Sequence, residues 1–251
     1  MLVGRDTGYE GKFDFPRQSD PPRLAYMLAS LPRSGSTWFS HLLWRTGCLG
    51  APLEYLNFEA AGPYYFAALA PAVQQQLWQS ALHRRTSPNG VFGAKCFAGQ
   101  LEALEQHNPP LLAAVMATLV RRPSPRIVYF QRRDRVAHAI SYARASLSGV
   151  WRKEQEPDDG VTVDYSEAAI ARAEQMIEAE QAAWRKMFGE LGIEPLTIWY
   201  EDALADANAA TSSAAEYLGV TLDPAAQLEI PGIEKQAAAD SAAWAERYAR
   251  R

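Results

Sequence analysis

Cysteine is almost missing from this chain of 251 residues, with only Cys48 and Cys96 present. Two thiols exclude a disulfide framework and any cysteine-based metal cluster. Long apolar runs are missing too, and without a stretch of transmembrane length no stable membrane insertion is expected. Residues 1–22 are polar, carry Pro16, Pro21 and Pro22, and lack the apolar centre of a signal peptide, so a cytoplasmic, reducing location is the expectation. Nor is there an excess of positive charge: 25 Lys and Arg face 29 Asp and Glu, for a net charge of −4 and a pI near 5.7. That balance argues against a general nucleic-acid or anionic-membrane binder. The length is ordinary for one α/β unit, and the reading is an N-terminal arm over 1–23 followed by a single domain over 24–251. The arm reads as frayed, or as a segment that crosses to a partner subunit.

A further absence sits inside the most informative stretch, Tyr26-Met27-Leu28-Ala29-Ser30-Leu31-Pro32-Arg33-Ser34-Gly35-Ser36-Thr37-Trp38. Its pattern is a buried strand, a tight glycine-bearing loop and the first turn of a helix, which aims backbone N–H groups at one anion. Gly35 marks the tightest point, since glycine takes positive φ cheaply. A nucleotide-binding phosphate loop would carry lysine just before its last hydroxyl residue. Here Ser36 fills that slot, and Arg33 is the only cation of the loop. No second strand ends in the Asp of a Mg²⁺-binding partner, so the loop fits a nucleotide handled without metal-assisted γ-phosphate chemistry. The plainer alternative is a strand-to-helix turn with Ser and Thr as caps.

Taken together, Ser30-Leu31-Pro32-Arg33-Ser34-Gly35-Ser36-Thr37 and the following Gly47-Cys48-Leu49-Gly50-Ala51-Pro52-Leu53-Glu54-Tyr55 resemble the start of bacterial carbohydrate sulfotransferases of the Stf-zero type, the trehalose 2-sulfotransferase family. The resemblance implies a P-loop-like three-layer α/β fold with a mainly parallel sheet. It implies 3′-phosphoadenosine-5′-phosphosulfate (PAPS) as co-substrate, no metal, release of 3′,5′-ADP, and a homodimer whose partner helps form the acceptor site. The family's general base is the Glu of its G-x-P-x-E pattern, here Glu54. An acidic residue often precedes that proline; this chain has Ala51 there. From the residues alone Glu54 is only a loop carboxylate whose return to Arg33 is a matter of length. A helix of about eleven residues rises roughly 16 Å and eight extended residues reach about 26 Å, so the return is geometrically allowed.

Further on, Tyr64, Tyr65, Phe66 and Trp78 offer aromatic faces for a sugar, or core filling. Tyr55 and Tyr64 are the acceptor candidates among the tyrosines. A helix from Pro71 to Arg85 precedes the turn Ser87-Pro88-Asn89-Gly90 and a strand Val91 to Lys95, similar to the family's N-G-V-x-G-x-K. Lys95, at that strand's carboxyl end, faces a crevice or solvent. A helix follows from Pro110 to Val120. The strand Arg126 to Phe130 runs into Gln131-Arg132-Arg133-Asp134-Arg135, a second anion site far from the first. Sulfotransferases hold the 3′-phosphate with an Arg and a Ser eight residues later; Arg133 and Ser141 have that spacing, with Arg132 as the alternative. Trp151 is a candidate acceptor wall, and 154–160 reads as a surface loop. A long helix from Ser166 to Leu191, a strand Pro195 to Asp202 and a helix from Asp206 to Leu218 complete the order. By analogy Lys235 and Gln236 close over the nucleotide, and Trp244 to Tyr248 resembles the family's C-terminus.

The expected activity is sulfuryl transfer from PAPS to a hydroxyl of a sugar or glycolipid, trehalose-like in the first instance. Arg33, Ser34, Gly35, Ser36 and Thr37 bind the 5′-phosphate side and Glu54 accepts the proton. His41 and His138 are rival bases by residue type. The competing classes are a phosphate-loop kinase or NTPase, a sulfotransferase for a non-sugar metabolite, and a non-catalytic nucleotide binder.

Overall fold

The computed structural model describes residues 6–60, 62–151, 155, 162–233 and 239–250. The chain runs β1 (Leu24–Ser30), α1 (Ser36–Arg45), α2 (Pro71–Arg84), β2 (Val91–Cys96), α3 (Ala98–His107), α4 (Pro109–Leu119), β3 (Arg126–Gln131), α5 (Arg135–Ser148), α6 (Glu167–Leu191), β4 (Leu196–Trp199), α7 (Tyr200–Ala205), α8 (Ala207–Leu218) and α9 (Ala239–Ala249). The four strands form one parallel sheet in the order β2-β1-β3-β4. Because β1 has β2 on one side and β3 on the other, the chain reverses direction across the sheet at β1. The crevice at its carboxyl end is where open α/β sheets bind ligands.

Side chains alternate across the pleat and split the core into two layers. Met27, Ala29, Phe92, Ile127 and Tyr129 pack with Trp184 and Phe188 of α6 on one face. Tyr26, Leu28, Val128 and Phe130 pack with Phe39 and Leu43 of α1 and Leu218 of α8 on the other. This is the three-layer α/β architecture expected. Gly93 is required by that packing: a Cβ there would stand 2.6 Å from the Tyr26 ring, whose hydroxyl donates to the Leu49 carbonyl at 2.9 Å.

Two elements differ from the sequence reading. The strand expected over Pro195 to Asp202 ends at Trp199, and Tyr200 opens α7, so Glu201 and Asp202 are helical. Residues 98–107, not read as helical above, form α3; its first amides, Ala98 and Gly99, each donate at 3.0 Å to the Glu180 carboxylate on α6. Burial leaves that carboxyl raised from its ordinary range. The described part of the N-terminal arm lies on its own domain. The Phe15 amide donates to the Arg84 carbonyl at 2.9 Å and the Gln18 amide to the His83 carbonyl at 2.8 Å. Among the described residues no helix is long and apolar enough to cross a membrane.

Candidate active site

The loop between β1 and α1 turns on two residues of positive φ, Arg33 at 63° and Gly35 at 92°. At Gly35 a Cβ would come within 2.5 Å of the Tyr200 ring, so the loop is packed flat under that tyrosine and only glycine fits. The first-turn amides of an α-helix have no intrahelical acceptor, which leaves those of α1 aimed out of the loop. Ser34 takes another part. Its amide (3.3 Å) and its hydroxyl (2.7 Å) both donate to the Leu31 carbonyl, so this buried serine holds the turn and has no donor left for an anion. Ser36 is buried and Thr37 half-buried at the helix start.

Glu54 does return to this loop. After α1, Gly47 at φ 67° turns the chain where a Cβ would stand 1.9 Å from the Ala226 carbonyl oxygen. Leu53 then makes a parallel bridge to Ala94 of β2. That register sets Glu54 beside Lys95, and their side chains pair at 2.7 Å. The Lys95 ammonium also donates to the Thr37 hydroxyl at 2.8 Å. Lys95 is 1% exposed and Glu54 6% exposed. A buried pair of this kind is tolerated only when both charges are compensated, and the Asn57 amide donates to the second Glu54 oxygen at 2.7 Å. The cation absent from the phosphate loop therefore arrives from the neighbouring strand. Cys96 lies beyond it, its thiol pushed up to about 12 by burial and the Glu54 charge, which leaves it unreactive.

The second candidate anion site lies at the turn from β3 to α5. Arg133, the arginine with the expected spacing, faces away: its fork is bidentate to Asp202 at 2.8 and 2.7 Å, half exposed and lying over the Trp199 ring. That partner raises the Arg133 guanidinium and lowers the Asp202 carboxyl from their ordinary values. Arg132 turns inward over the Tyr200 ring, 5.2 Å from its centroid, and its buried Nε makes no hydrogen bond and faces the Glu201 carboxylate at 4.0 Å. Ser141 receives the Arg33 Nε at 3.2 Å, and Arg33 also donates to the Trp151 carbonyl. Arg33, Arg132 and Ser141 thus belong to one region and Arg133 lies outside it.

His138 ties the two anion sites together. Its Nε2 hydrogen-bonds the Pro32 carbonyl at 2.7 Å, so α5 holds the loop directly. Burial, helped by the Arg132 and Arg33 cations and opposed by that bond, lowers its pKa to about 4. A neutral imidazole donating from Nε2 is a strut. His41 is engaged likewise, its Nδ1 2.9 Å from the Pro231 carbonyl.

Of the acceptor candidates, Tyr64 stands beside the Glu54 loop, its amide donating to the Asn57 carbonyl at 3.3 Å. Trp151 packs edge-on to Tyr142, with centroids 5.7 Å apart. Tyr55 does not join them. It is buried against Phe92 with its hydroxyl on the Ala51 carbonyl, and burial pushes that hydroxyl well above its ordinary range. Trp78 is also core, packed on Phe92, whereas Tyr65 and Phe66 are exposed. Lys235, Gln236 and nearly all of the loop 154–160 lie outside the described residues. Sequence reasoning passed over Asn57, Tyr9 and Tyr200, which touch Glu54 or the loop; Asn57, three residues after Glu54, had the spacing to be found.

The family model described as Stf0 sulphotransferase matches residues 25–251. The trehalose 2-sulfotransferase of Mycobacterium tuberculosis (strain ATCC 35801 / TMC 107 / Erdman) is 30% identical over 257 aligned positions, covering 89% of this chain and 93% of that one. That of Mycolicibacterium smegmatis (strain ATCC 700084 / mc(2)155) is 28% identical, covering 92% and 96%. Among solved structures, the sulfotransferase domain of the Synechococcus PCC 7002 olefin synthase aligns with a TM-score of 0.46 at 14% identity, covering 94% of this chain and 98% of that one. A mouse sulfotransferase complexed with PAP gives a TM-score of 0.44 at 13% identity, over 82% and 62%.

Proposed function

The chain belongs to the Stf0 sulphotransferase family, and from that premise we propose that it transfers the sulfuryl group of PAPS to a hydroxyl of a sugar with Glu54 as general base. The observation that carries this reading is the Lys95 ammonium lying between the Thr37 hydroxyl and the buried Glu54 carboxylate, which joins the anion loop to a candidate base. PAPS supplies a sulfuryl group already bonded to a phosphate that leaves readily. The α1 amides at Gly35, Ser36 and Thr37, with the Thr37 hydroxyl, take the 5′-phosphate end, where negative charge grows as the group departs. Arg33 adds the positive charge of the loop, and Lys95 is within reach of the same region.

Glu54 is held by Lys95 at one carboxylate oxygen and by the Asn57 side chain at the other. A carboxylate so fixed needs the acceptor within hydrogen-bond distance to remove its proton. Arg132 with Ser141 is the assignment for the 3′-phosphate, since the buried Arg132 Nε makes no hydrogen bond and has only the Glu201 carboxylate at 4.0 Å, which leaves its planar fork to an anion. Tyr64 and Trp151 stand as acceptor walls. The names of the two curated relatives make trehalose the first acceptor to test, followed by glycolipid sugars, with a homodimer as the working assembly. Replacement of Glu54 by Gln is expected to remove sulfuryl transfer, followed by product mass, while calorimetric binding of 3′,5′-ADP stays within about twofold. Transfer by that variant at the wild-type rate would take Glu54 out of the mechanism.

A further inference from the structure

The N-terminal arm places one side chain at Glu54. The Tyr9 hydroxyl lies 3.0 Å from the Glu54 amide and accepts its hydrogen bond. On either side of Tyr9 the arm is clamped. The Glu10 carboxylate folds back on the amides of Thr7 (3.0 Å) and Gly8 (2.9 Å) and on the Thr7 hydroxyl (2.7 Å). Buried Arg85 lies over the Trp44 ring, donates to the carbonyls of Gly8 (2.9 Å) and Glu10 (3.2 Å), and pairs with Asp14 at 3.0 Å. Gly8, at φ 89°, rests so close to Trp44 that a Cβ would stand 3.0 Å from its ring. The Tyr9 ring itself meets Tyr64 edge-on at 5.5 Å.

We propose that this arm is part of the catalytic unit and that Tyr9 is a positioning residue for Glu54, an inference that rests on the reading of Glu54 as the base. The Leu53 bridge to β2 ends the strand-like pairing just before Glu54: the Leu53 carbonyl accepts from the Lys95 amide at 3.0 Å, and the next amide is left to Tyr9. Glu54 is therefore held at its backbone by the arm and at its carboxylate by Lys95 and Asn57. Without the phenol oxygen the amide loses its acceptor and the peptide is free to rotate, which carries the carboxylate away from the hydroxyl it must deprotonate.

Tyr9→Phe removes that oxygen and keeps the ring on Tyr64. Since one neutral hydrogen bond is at stake, kcat is expected to fall about five- to tenfold, while KM for PAPS and the calorimetric affinity for 3′,5′-ADP stay within about twofold. Titrating active sites with 3′,5′-ADP normalises each preparation to its folded fraction. The same substitution in the Glu54→Gln background should cost nothing further, because there is no base left to position. An inactive Glu54→Gln variant together with a Tyr9→Phe enzyme of unchanged kcat overturns the arm's role and leaves the proposed function standing. Equal losses in kcat and in 3′,5′-ADP affinity would make Tyr9 a general prop and also overturn it. Turnover by Glu54→Gln would remove the base itself, and with it both readings.

Discussion

A buried histidine whose charged form is opposed by burial and by the nearby Arg132 and Arg33 cations makes acid a particular threat to the architecture of the site. His138 titrates near 4 in the folded chain against an ordinary 6.5. Between those values the unfolded chain binds a proton that the folded one refuses, so stability rises with pH across the window and falls as pH drops through it. Its contribution is fully present above about 6.5, and about 3 kcal/mol is lost by pH 4, at about 1.4 kcal/mol for each pH unit. His138→Gln keeps an N–H for the Pro32 carbonyl but has no proton to gain. Urea midpoints at pH 7 and pH 4.5 should therefore converge in the variant relative to wild type; equal acid sensitivity would place the titration elsewhere. Sequence alone does not disclose such a role, because His138 reads as a rival base until the Pro32 carbonyl is seen 2.7 Å from its Nε2. The resemblance singled out Glu54 and Arg33 of the loop motif, and Lys95 links the Glu54 carboxylate to the Thr37 hydroxyl at the end of that loop. Tyr9 was not legible, since nothing local connects position 9 to position 54.

The turn between β3 and α5 sends two adjacent arginines in different directions. Asp134 caps α5 by accepting from the Ala137 amide at 2.9 Å, and Glu201 accepts the amides of Arg133 and Asp134 at 2.9 and 3.1 Å. Glu201, from the acidic end of the expected fourth strand, thus caps a neighbouring turn from within α7. With the backbone held so, Arg133 points to solvent and Asp202, and Arg132 points inward. An exposed ion pair contributes between about 0 and 1 kcal/mol. Arg133→Ala should therefore leave 3′,5′-ADP affinity within about threefold. Arg132→Ala should weaken it about a hundredfold, the loss expected for a charge-assisted contact, with 5′-AMP binding nearly unchanged. Calorimetry on the two variants decides, and the reverse ranking would restore Arg133. The strands were readable as short apolar runs bounded by turns. α3 was harder because its N-terminal cap is Glu180, eighty-odd positions away on α6, and its own sequence has no capping side chain at the first position.

The two anion sites sit on different layers of the molecule, yet they are joined through the sheet, through His138 on Pro32, and through Arg33 on Ser141. On the proposed function, a ligand with an anion at each end spans both and binds only the folded chain. Saturation to about a hundred times Kd then stabilises by about 2.7 kcal/mol. For a domain of this size that corresponds to a rise of roughly 5–10 °C in Tm. The rise should grow with the logarithm of 3′,5′-ADP concentration. At equal concentration 5′-AMP, which engages one end, should give a much smaller shift. The Arg132→Ala variant should respond to the two ligands alike, because it has lost the group that tells them apart. Arg33 must leave Ser141 and the Trp151 carbonyl if it is to meet the 5′ end, so Arg33→Ala, freed of that contact, should lose affinity for both ligands and keep the preference for 3′,5′-ADP. Scanning calorimetry over a hundredfold range of each ligand tests these relations together, and equal shifts from 3′,5′-ADP and 5′-AMP in the wild type would sink the two-ended site.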